Sequence, residues 1–328
     1  MEYVIPATQL VPRPDQVITQ QLYDRFVAYI DASEKTVQTY SRALRQFFKW
    51  IRREKITQPL REDVIRYRDE LKEKHKPATV QNYIFAVRQF FRWTAQEGLY
   101  PNIADRIKGA RVSTKHKKDA LTVDQAREIL ELQEGKSTPK GIRDYAILAV
   151  AVTAGLRTIE LQRANVEDLR PIGNRMVLFI QGKGEEEAAE FVLITKPVEI
   201  AIRKYLRLRG HLSGDEPLFG SVSRRNPNGR MTTRSISRII KDAFREAGYD
   251  SDRLTAHTLR HTAGTINLLA GGTLQETQQL LRHKDINTTT IYAHNIDRLE
   301  SKSEERITEA LFTRREVMLT GEEEQENE

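Results

Sequence analysis

The sequence contains no cysteine. That excludes a disulfide framework, a thiol nucleophile and any zinc site built on thiolates, and it suits a reducing compartment. No stretch approaches the roughly 18 apolar residues of a membrane-spanning helix. The opening segment, MEYVIPATQLVPRPDQ, has neither the basic run nor the apolar stretch of a secretion signal. These absences predict a soluble, cytoplasmic chain with no membrane partner. There is also no P-loop, no HExxH pair and no carboxylate cluster of the kind that holds two Mg²⁺. The residues therefore call for no metal and no cofactor, ATP included.

What the sequence has in quantity is positive charge. It carries 53 Lys and Arg against 46 Asp and Glu, a formal net charge of +7, which draws a protein toward polyanions and makes nucleic acid the leading partner class. The charge is unevenly spread: residues 35–118 hold 21 bases against 8 acids, whereas the last thirteen residues hold six Glu and no base. The basic half is expected to face DNA, and the acidic end, with Glu322, Glu323 and Glu324, reads as a solvated tail.

A chain of 328 residues with 39% apolar content suits two domains. Residues 36–50 (TVQTYSRALRQFFKW) and 79–93 (TVQNYIFAVRQFFRW) are near copies at an offset of 43. In each copy the apolar residues recur at helical spacing, as in Tyr40, Ala43, Leu44, Phe47 and Phe48, so each predicts an amphipathic helix. A third helix is expected over residues 60–74. Two copies are too few for a solenoid and imply a small helical bundle. Phe47, Phe48, Phe90 and Phe91 read as core, and Arg45, Lys49, Arg88 and Arg92 as phosphate contacts or a solvated face. The stretch KGARVSTKHKKDAL, residues 108–121, has no periodicity and reads as a linker whose Lys115 and Lys117 could follow a phosphate backbone. The expected domains are an extension over 1–17, a helical DNA-binding domain over 18–108, a linker over 109–120, a second domain over 121–312 and a tail over 313–328.

In the second domain, helices are predicted over 122–132, 142–155, 158–163, 196–208, 232–247, 258–270 and 273–282. Two β-prone runs, Met176 to Ile180 and Phe191 to Ile194, enclose QGKGEEEAAE and predict a hairpin presenting Lys183. The fold class is thus mainly α, with a small antiparallel sheet in the second domain.

Four segments carry candidate chemistry: AGLRTIEL with Arg157, QGKG with Lys183, HTLRH with His257 and Arg260, and LLRHKDINTTTIYAH with His283 and Tyr292. Each is weak alone. Together they supply what phosphodiester cleavage without a metal requires. Arg157 and Arg260 can neutralise the charge that builds on nonbridging oxygens, through paired hydrogen bonds that Lys cannot match. Tyr292 offers an oxygen nucleophile, but with a reference pKa of about 10 it needs a base, and His257 suits that task. Lys183 can protonate the departing 5′ oxygen if nearby positive charge lowers its pKa.

These segments resemble, in order and spacing, the signature segments of the tyrosine recombinases, particularly the Xer-type recombinases and the integrases of phages and mobile elements. The resemblance spans most of the chain. It implies an N-terminal helical, SAM-like core-binding domain and a C-terminal catalytic domain clamped around DNA, with homotetramers assembled on two recombination sites, a dimer per site. It also allows an accessory protein or a second recombinase. On this likeness Tyr292 attacks to leave a 3′ phosphotyrosine and a free 5′ hydroxyl, Arg157 and Arg260 bind the scissile phosphate, Lys183 is the general acid, His257 an acid or base, and His283 a hydrogen-bond partner of the phosphate. Glu160 would orient these groups without transferring protons. The likeness also implies a C-terminal helix passed to a neighbouring subunit. Ser301 and Glu304 form a capping box for one, ahead of an apolar stripe of Ile307, Ala310, Leu311 and Phe312.

There are departures. Glu185, Glu186 and Glu187 follow Lys183 where the family usually has bases, and Arg282 stands where it usually has Gly, which suggests an added phosphate contact. His261 reads as a packing residue. Two alternatives stay open on sequence: a type IB topoisomerase, and a noncatalytic DNA-binding regulator that retains the fold.

Overall fold

The computed structural model describes residues 12–111, 120–182, 187–283, 285, 286, 289, 290 and 305–311. The chain divides into two compact units, Met1–Lys115 and His116–Glu328.

Among the described residues, the first unit is a bundle of four helices: α1 (Gln20–Tyr29), α2 (Glu34–Arg53), α3 (Arg61–Lys74) and α4 (Pro77–Gln96). The duplicated segments lie in α2 and α4, which pack against each other. Pro77 occupies the first turn of α4, where the missing N–H costs no helical hydrogen bond. Phe47, Phe90 and Phe91 are fully buried and Phe48 partly so. Their contacts carry the duplication into three dimensions. Phe47 meets Phe91 edge-on at 5.9 Å between ring centroids, and Phe48 meets Phe90 edge-on at 5.5 Å. The offset of 43 exchanges these two pairs, so the repeats meet as a local pseudo-twofold. Each edge-on pair adds about 0.5–1.5 kcal/mol beyond area burial. Helix α1 was not evident in the sequence pattern. Thr19 caps it, accepting from the Leu22 N–H at 3.4 Å, and its Phe26 packs onto Phe90 and Trp93.

The second unit is built around a helix buried along nearly its whole length. It contains α5 (Val123–Glu134), α6 (Pro139–Thr153), α7 (Thr158–Arg163), β1 (Leu169–Ile172), β2 (Arg175–Ile180), β3 (Glu190–Leu193), α8 (Lys196–Arg209), β4 (Gly220–Ser223), β5 (Asn226–Arg230), α9 (Thr233–Glu246), α10 (Ala256–Leu269) and α11 (Leu274–Leu281). Every residue of α6 from Ile142 to Val152 except Tyr145 is buried. Helices α5, α8, α9 and α10 pack around it. It starts three residues before the periodicity suggested, because Thr138 caps it and Pro139 fits its first turn.

The sheet is antiparallel in the order β1-β2-β3, with Leu178 of β2 in register with Leu169 and Val192. The predicted hairpin supplies β2 and β3. Strand β1 was missed, since Pro171 argues against a strand except at a sheet edge, which is where it lies. The β4-β5 hairpin was also missed, its Gly, Ser and Asn content reading as loop. Residues 305–311 are helical, within the predicted C-terminal helix; Ser301, Glu304 and Phe312 lie outside the described residues.

Candidate active site

The site begins where α6 ends. Gly155 has φ +57°, a left-handed conformation open to glycine, and a Cβ built there would stand 2.8 Å from Leu281 Cδ2. Both constraints require glycine. The close turn brings the chain between α6 and α7 against α10 and α11, and it aims the Gly155 carbonyl at two arginines. Arg260 Nη1 donates to it at 2.6 Å and Arg282 Nη2 at 3.4 Å. Arg260, on α10, is only 1% exposed.

Two residues further on, Arg157 caps α7. Its backbone N–H donates to Glu160 Oε2 at 2.8 Å and its Nη1 to Glu160 Oε1 at 2.7 Å, while Nη2 reaches the Arg282 carbonyl at 3.4 Å. Glu160 is 1% exposed and also accepts from Arg282 Nη2 at 2.8 Å. Burial pushes the Glu160 carboxyl up, but the charges of Arg282 and Arg157, with the hydrogen bonds from Arg157, more than offset it and hold the group below its usual range. Glu160 is thus an ionised hub between two arginines.

His257 and Arg260 both stand near the start of α10. The His257 ring lies edge-on to His261 at 4.6 Å, with His261 buried and His257 exposed. His283 follows α11, fixed by Gln278 from both sides: its N–H donates to the Gln278 carbonyl at 3.1 Å, and Gln278 Nε2 donates to its carbonyl at 3.0 Å. Its Nδ1 shares a 2.9 Å hydrogen bond with the Thr289 hydroxyl. Burial, followed by the positive charges of Arg260, Arg157, His257 and Arg282, pushes the His283 imidazole down to about 4. Those four groups act on His283 because the fold gathers all five residues in one place.

Lys183 and Tyr292 lie outside the described residues, as do Lys115 and Lys117. The chain just before Lys183 is anchored, because Arg163 Nη1 donates to the Gly182 carbonyl at 2.6 Å. Arg282, which the sequence offered as a phosphate contact, turns its guanidinium inward to Glu160 and to the carbonyls of Ala154, Gly155 and Leu280.

A cleft of about 720 Å³ opens beside these groups, lined by Arg157, His257, Arg234, Arg238 and Lys241 among others. The last three lie on one face of α9, opposite buried Ile236, Ile240 and Phe244. Sequence reasoning passed over them. The signal was present as bases at positions i, i+4 and i+7 of an amphipathic helix, but the same pattern describes any solvated helix face. Lys241 also bridges to Asp250 and to the Ser251 carbonyl.

In the first unit three of the four predicted bases line two grooves. Arg45 and Lys49 line a groove along α2 with Arg42, whereas Arg92 lines an aromatic cleft with Tyr29, Tyr40, Phe85 and Trp93. Arg45 also donates to the Tyr23 hydroxyl at 3.2 Å, and Arg88 is half-buried. Among the described residues, no group of three or more His, Asp or Glu could hold a metal ion, and no helix is long and apolar enough to cross a membrane.

The chain resembles known proteins along most of its length. The model of the phage integrase family matches residues 119–298, and that of the phage integrase N-terminal SAM-like domain matches residues 22–98. The chain belongs to the phage integrase family. A tyrosine recombinase XerC of Leptospira interrogans is 30% identical over 282 residues, covering 82% of this chain and 86% of that protein. A tyrosine recombinase XerC of Herpetosiphon aurantiacus is 36% identical over 179 residues, covering 53% of this chain. That alignment spans 55% of the relative's length. Among solved structures, the XerH site-specific recombinase bound to a palindromic difH substrate superposes with a TM-score of 0.67, at 19% identity over 92% of this chain and 90% of that one. The likeness extends to the mostly helical fold with a SAM-like N-terminal domain. In this phage integrase family member, residues 119–298 take in Arg157, Glu160, Arg260 and His283, the groups that the fold brings together.

Proposed function

We propose that this protein is a site-specific DNA recombinase that cuts and rejoins DNA strands through a phosphotyrosine link to Tyr292. The observation that carries this reading is the convergence of Arg157, His257, Arg260 and His283, with Glu160 beneath Arg157. Two arginines at one point suit the nonbridging oxygens of a phosphodiester, whose charge grows in the transition state. The Tyr292 oxygen attacks phosphorus, the bond from phosphorus to the 5′ oxygen breaks, and a 3′-phosphotyrosyl bond forms. His257 takes the phenolic proton, and Lys183 supplies a proton to the 5′ oxygen. His283, neutral at pH 7, hydrogen-bonds the phosphate without adding charge. The phosphotyrosyl link conserves the energy of the broken bond, so rejoining needs no ATP, and no step calls for a metal.

Double-stranded DNA carrying specific sites is the substrate, and the compartment holding that DNA, the cytoplasm, is where the enzyme works. The basic face of α9, with Arg234 and Arg238, lies against the duplex beside the scissile phosphate. A dimer occupies each site and two sites form a tetramer. Two features support the assembly. Ile307 and Leu311 on the helix over 305–311 are 58% and 67% exposed. An apolar cleft of about 460 Å³, lined by Ala126, Leu130, Val152, Ala263, Ile266 and Leu280 among others, offers a seat for such a helix from a neighbouring copy.

The test is a denaturing gel of wild-type protein and Tyr292→Phe incubated with nicked duplexes tiled from DNA flanking the gene. A covalent adduct that requires Tyr292 is the expected result. DNA binding without any adduct would favour the noncatalytic regulator, and relaxation of supercoiled DNA lacking a site would favour the topoisomerase.

A further inference from the structure

Arg282 occupies a position that disfavours it. It ends α11 in the left-handed region, φ 50° and ψ 50°, where a residue with a Cβ is strained by roughly 1–2 kcal/mol relative to glycine. Its side chain is nonetheless 8% exposed, and its guanidinium is directed wholly inward. Nη2 donates to Glu160 Oε2 at 2.8 Å and to the Gly155 carbonyl at 3.4 Å, and Nη1 to the carbonyls of Leu280 at 2.8 Å and Ala154 at 3.3 Å. Its own carbonyl accepts from Arg157 Nη2 at 3.4 Å, and its neighbour in the chain is His283. Arg282 therefore touches the support of Arg157 in two ways, through Glu160 and through its main chain.

We infer that Arg282 is a positioning residue that sets Arg157 in its working arrangement through the shared Glu160 carboxylate. With Arg157 as its only partner, buried Glu160 would cancel that guanidinium's charge and draw it inward. A second cation on the same carboxylate leaves the Arg157, Glu160 and Arg282 group with a net charge of +1 directed toward the phosphate. A buried ion triad need not add stability, since desolvation offsets much of its attraction. Its contribution here is alignment. The inference rests on the recombinase reading for its catalytic consequence, though not for its structural one.

The test compares Arg282→Gln, Arg282→Lys and Arg282→Gly in the full chain, with Glu160→Gln and the double variant Glu160→Gln/Arg282→Gln. Glycine accepts φ +50° without strain, so Arg282→Gly keeps the backbone if glutamine perturbs folding. Three quantities are read: single-turnover adduct formation on saturating nicked DNA, the affinity for that DNA with its salt dependence, and the Arg157 guanidinium NMR resonances of the free protein. Arg282→Gln and Arg282→Gly are expected to slow adduct formation about 10- to 100-fold, within the range of losses seen when a preorganised group is misplaced. Affinity and salt slope stay as in the wild type, Arg282→Lys recovers part of the rate, and Arg282→Gln adds less than about threefold in the Glu160→Gln background. The Arg157 resonances shift in Arg282→Gln.

A wild-type rate for Arg282→Gln at saturation overturns the inference. So does a salt slope shallower by about one, which marks a direct phosphate contact, or an equal loss of rate in both Glu160 backgrounds. Absence of any adduct with the wild type would sink the cleavage reading instead. In that case unmoved Arg157 resonances overturn the positioning role, and shifted ones retain it.

Discussion

The carbonyl of Gly155 accepts a 2.6 Å hydrogen bond from Arg260 across 105 residues of sequence. A main-chain oxygen holds an arginine that is 1% exposed, so the backbone conformation of Gly155 bears directly on the orientation of Arg260. At φ +57° and with Leu281 at 2.8 Å from a built Cβ, Gly155→Ala should destabilise the second unit by about 1–3 kcal/mol and slow DNA cleavage. Thermal unfolding and adduct formation on saturating nicked DNA measure the two effects. A variant as stable and as fast as the wild type would show that this turn tolerates a side chain.

Arg157 meets the cleft with Glu160 behind it, so its loss removes a preorganised donor. Arg157→Ala should lower single-turnover cleavage on the order of 10²- to 10³-fold while DNA affinity falls far less. Cleavage at the normal rate on saturated DNA would remove Arg157 from the chemistry.

His283 is held at about 4, below the ordinary histidine value of about 6.5. The sign follows from linkage: between those two values the unfolded chain binds a proton that the folded chain refuses, so stability falls as pH drops from about 6.5 to about 4 and levels off below. Histidine NMR should show the His283 ring neutral from pH 8 to pH 5, titrating near 4. A midpoint at 6 or above would contradict the electrostatic picture. His283→Asn should flatten this part of the stability profile.

The α9 face makes a prediction about salt. If Arg234 and Arg238 each meet a phosphate, each change to Ala should weaken binding across sequences alike and reduce the logarithmic salt slope by about one. Titrations between 50 and 200 mM salt, with both variants, are the measurement. An unchanged slope would place the duplex elsewhere.

Both tryptophans of the chain, Trp50 and Trp93, lie in the first unit, so their fluorescence reports its unfolding selectively. Phe47→Ala and Phe90→Ala should each cost about 3–5 kcal/mol in a urea titration followed in this way. The pair Phe48 and Phe90, which touch at 5.5 Å, should show a coupling of about 0.5–1.5 kcal/mol in a double-mutant cycle. Additive losses would mean that the pseudo-twofold ring contacts contribute no more than their burial.

Several features were legible in the residues alone. Local periodicity placed the helices because a face is encoded every three or four residues, and the repeated FFKW and FFRW segments marked an aromatic core that the bundle does bury. The chemical character of the site was also readable, since the types of Arg157, His257, Arg260 and His283 and their order along the chain survive without coordinates. Helix α1 and strand β1 were not readable, because α1 draws its stability from Phe90 and Trp93 and β1 from pairing with β2, partners that a local window does not see.

By itself, then, the sequence determined most of the helices and the β2-β3 hairpin, which residue types are on hand for chemistry, and that the chain is basic enough to seek DNA. Only the tertiary structure decided that Arg282 turns inward to Glu160 across 122 residues, that Gly155 holds Arg260, that Arg234 and Arg238 share a cleft with Arg157, and that Arg45 and Lys49 line one groove while Arg92 lines another. The physical reason is one of range. Helical periodicity acts within a few residues, whereas the direction of a guanidinium and the charge felt by His283 depend on which distant helices are packed against them.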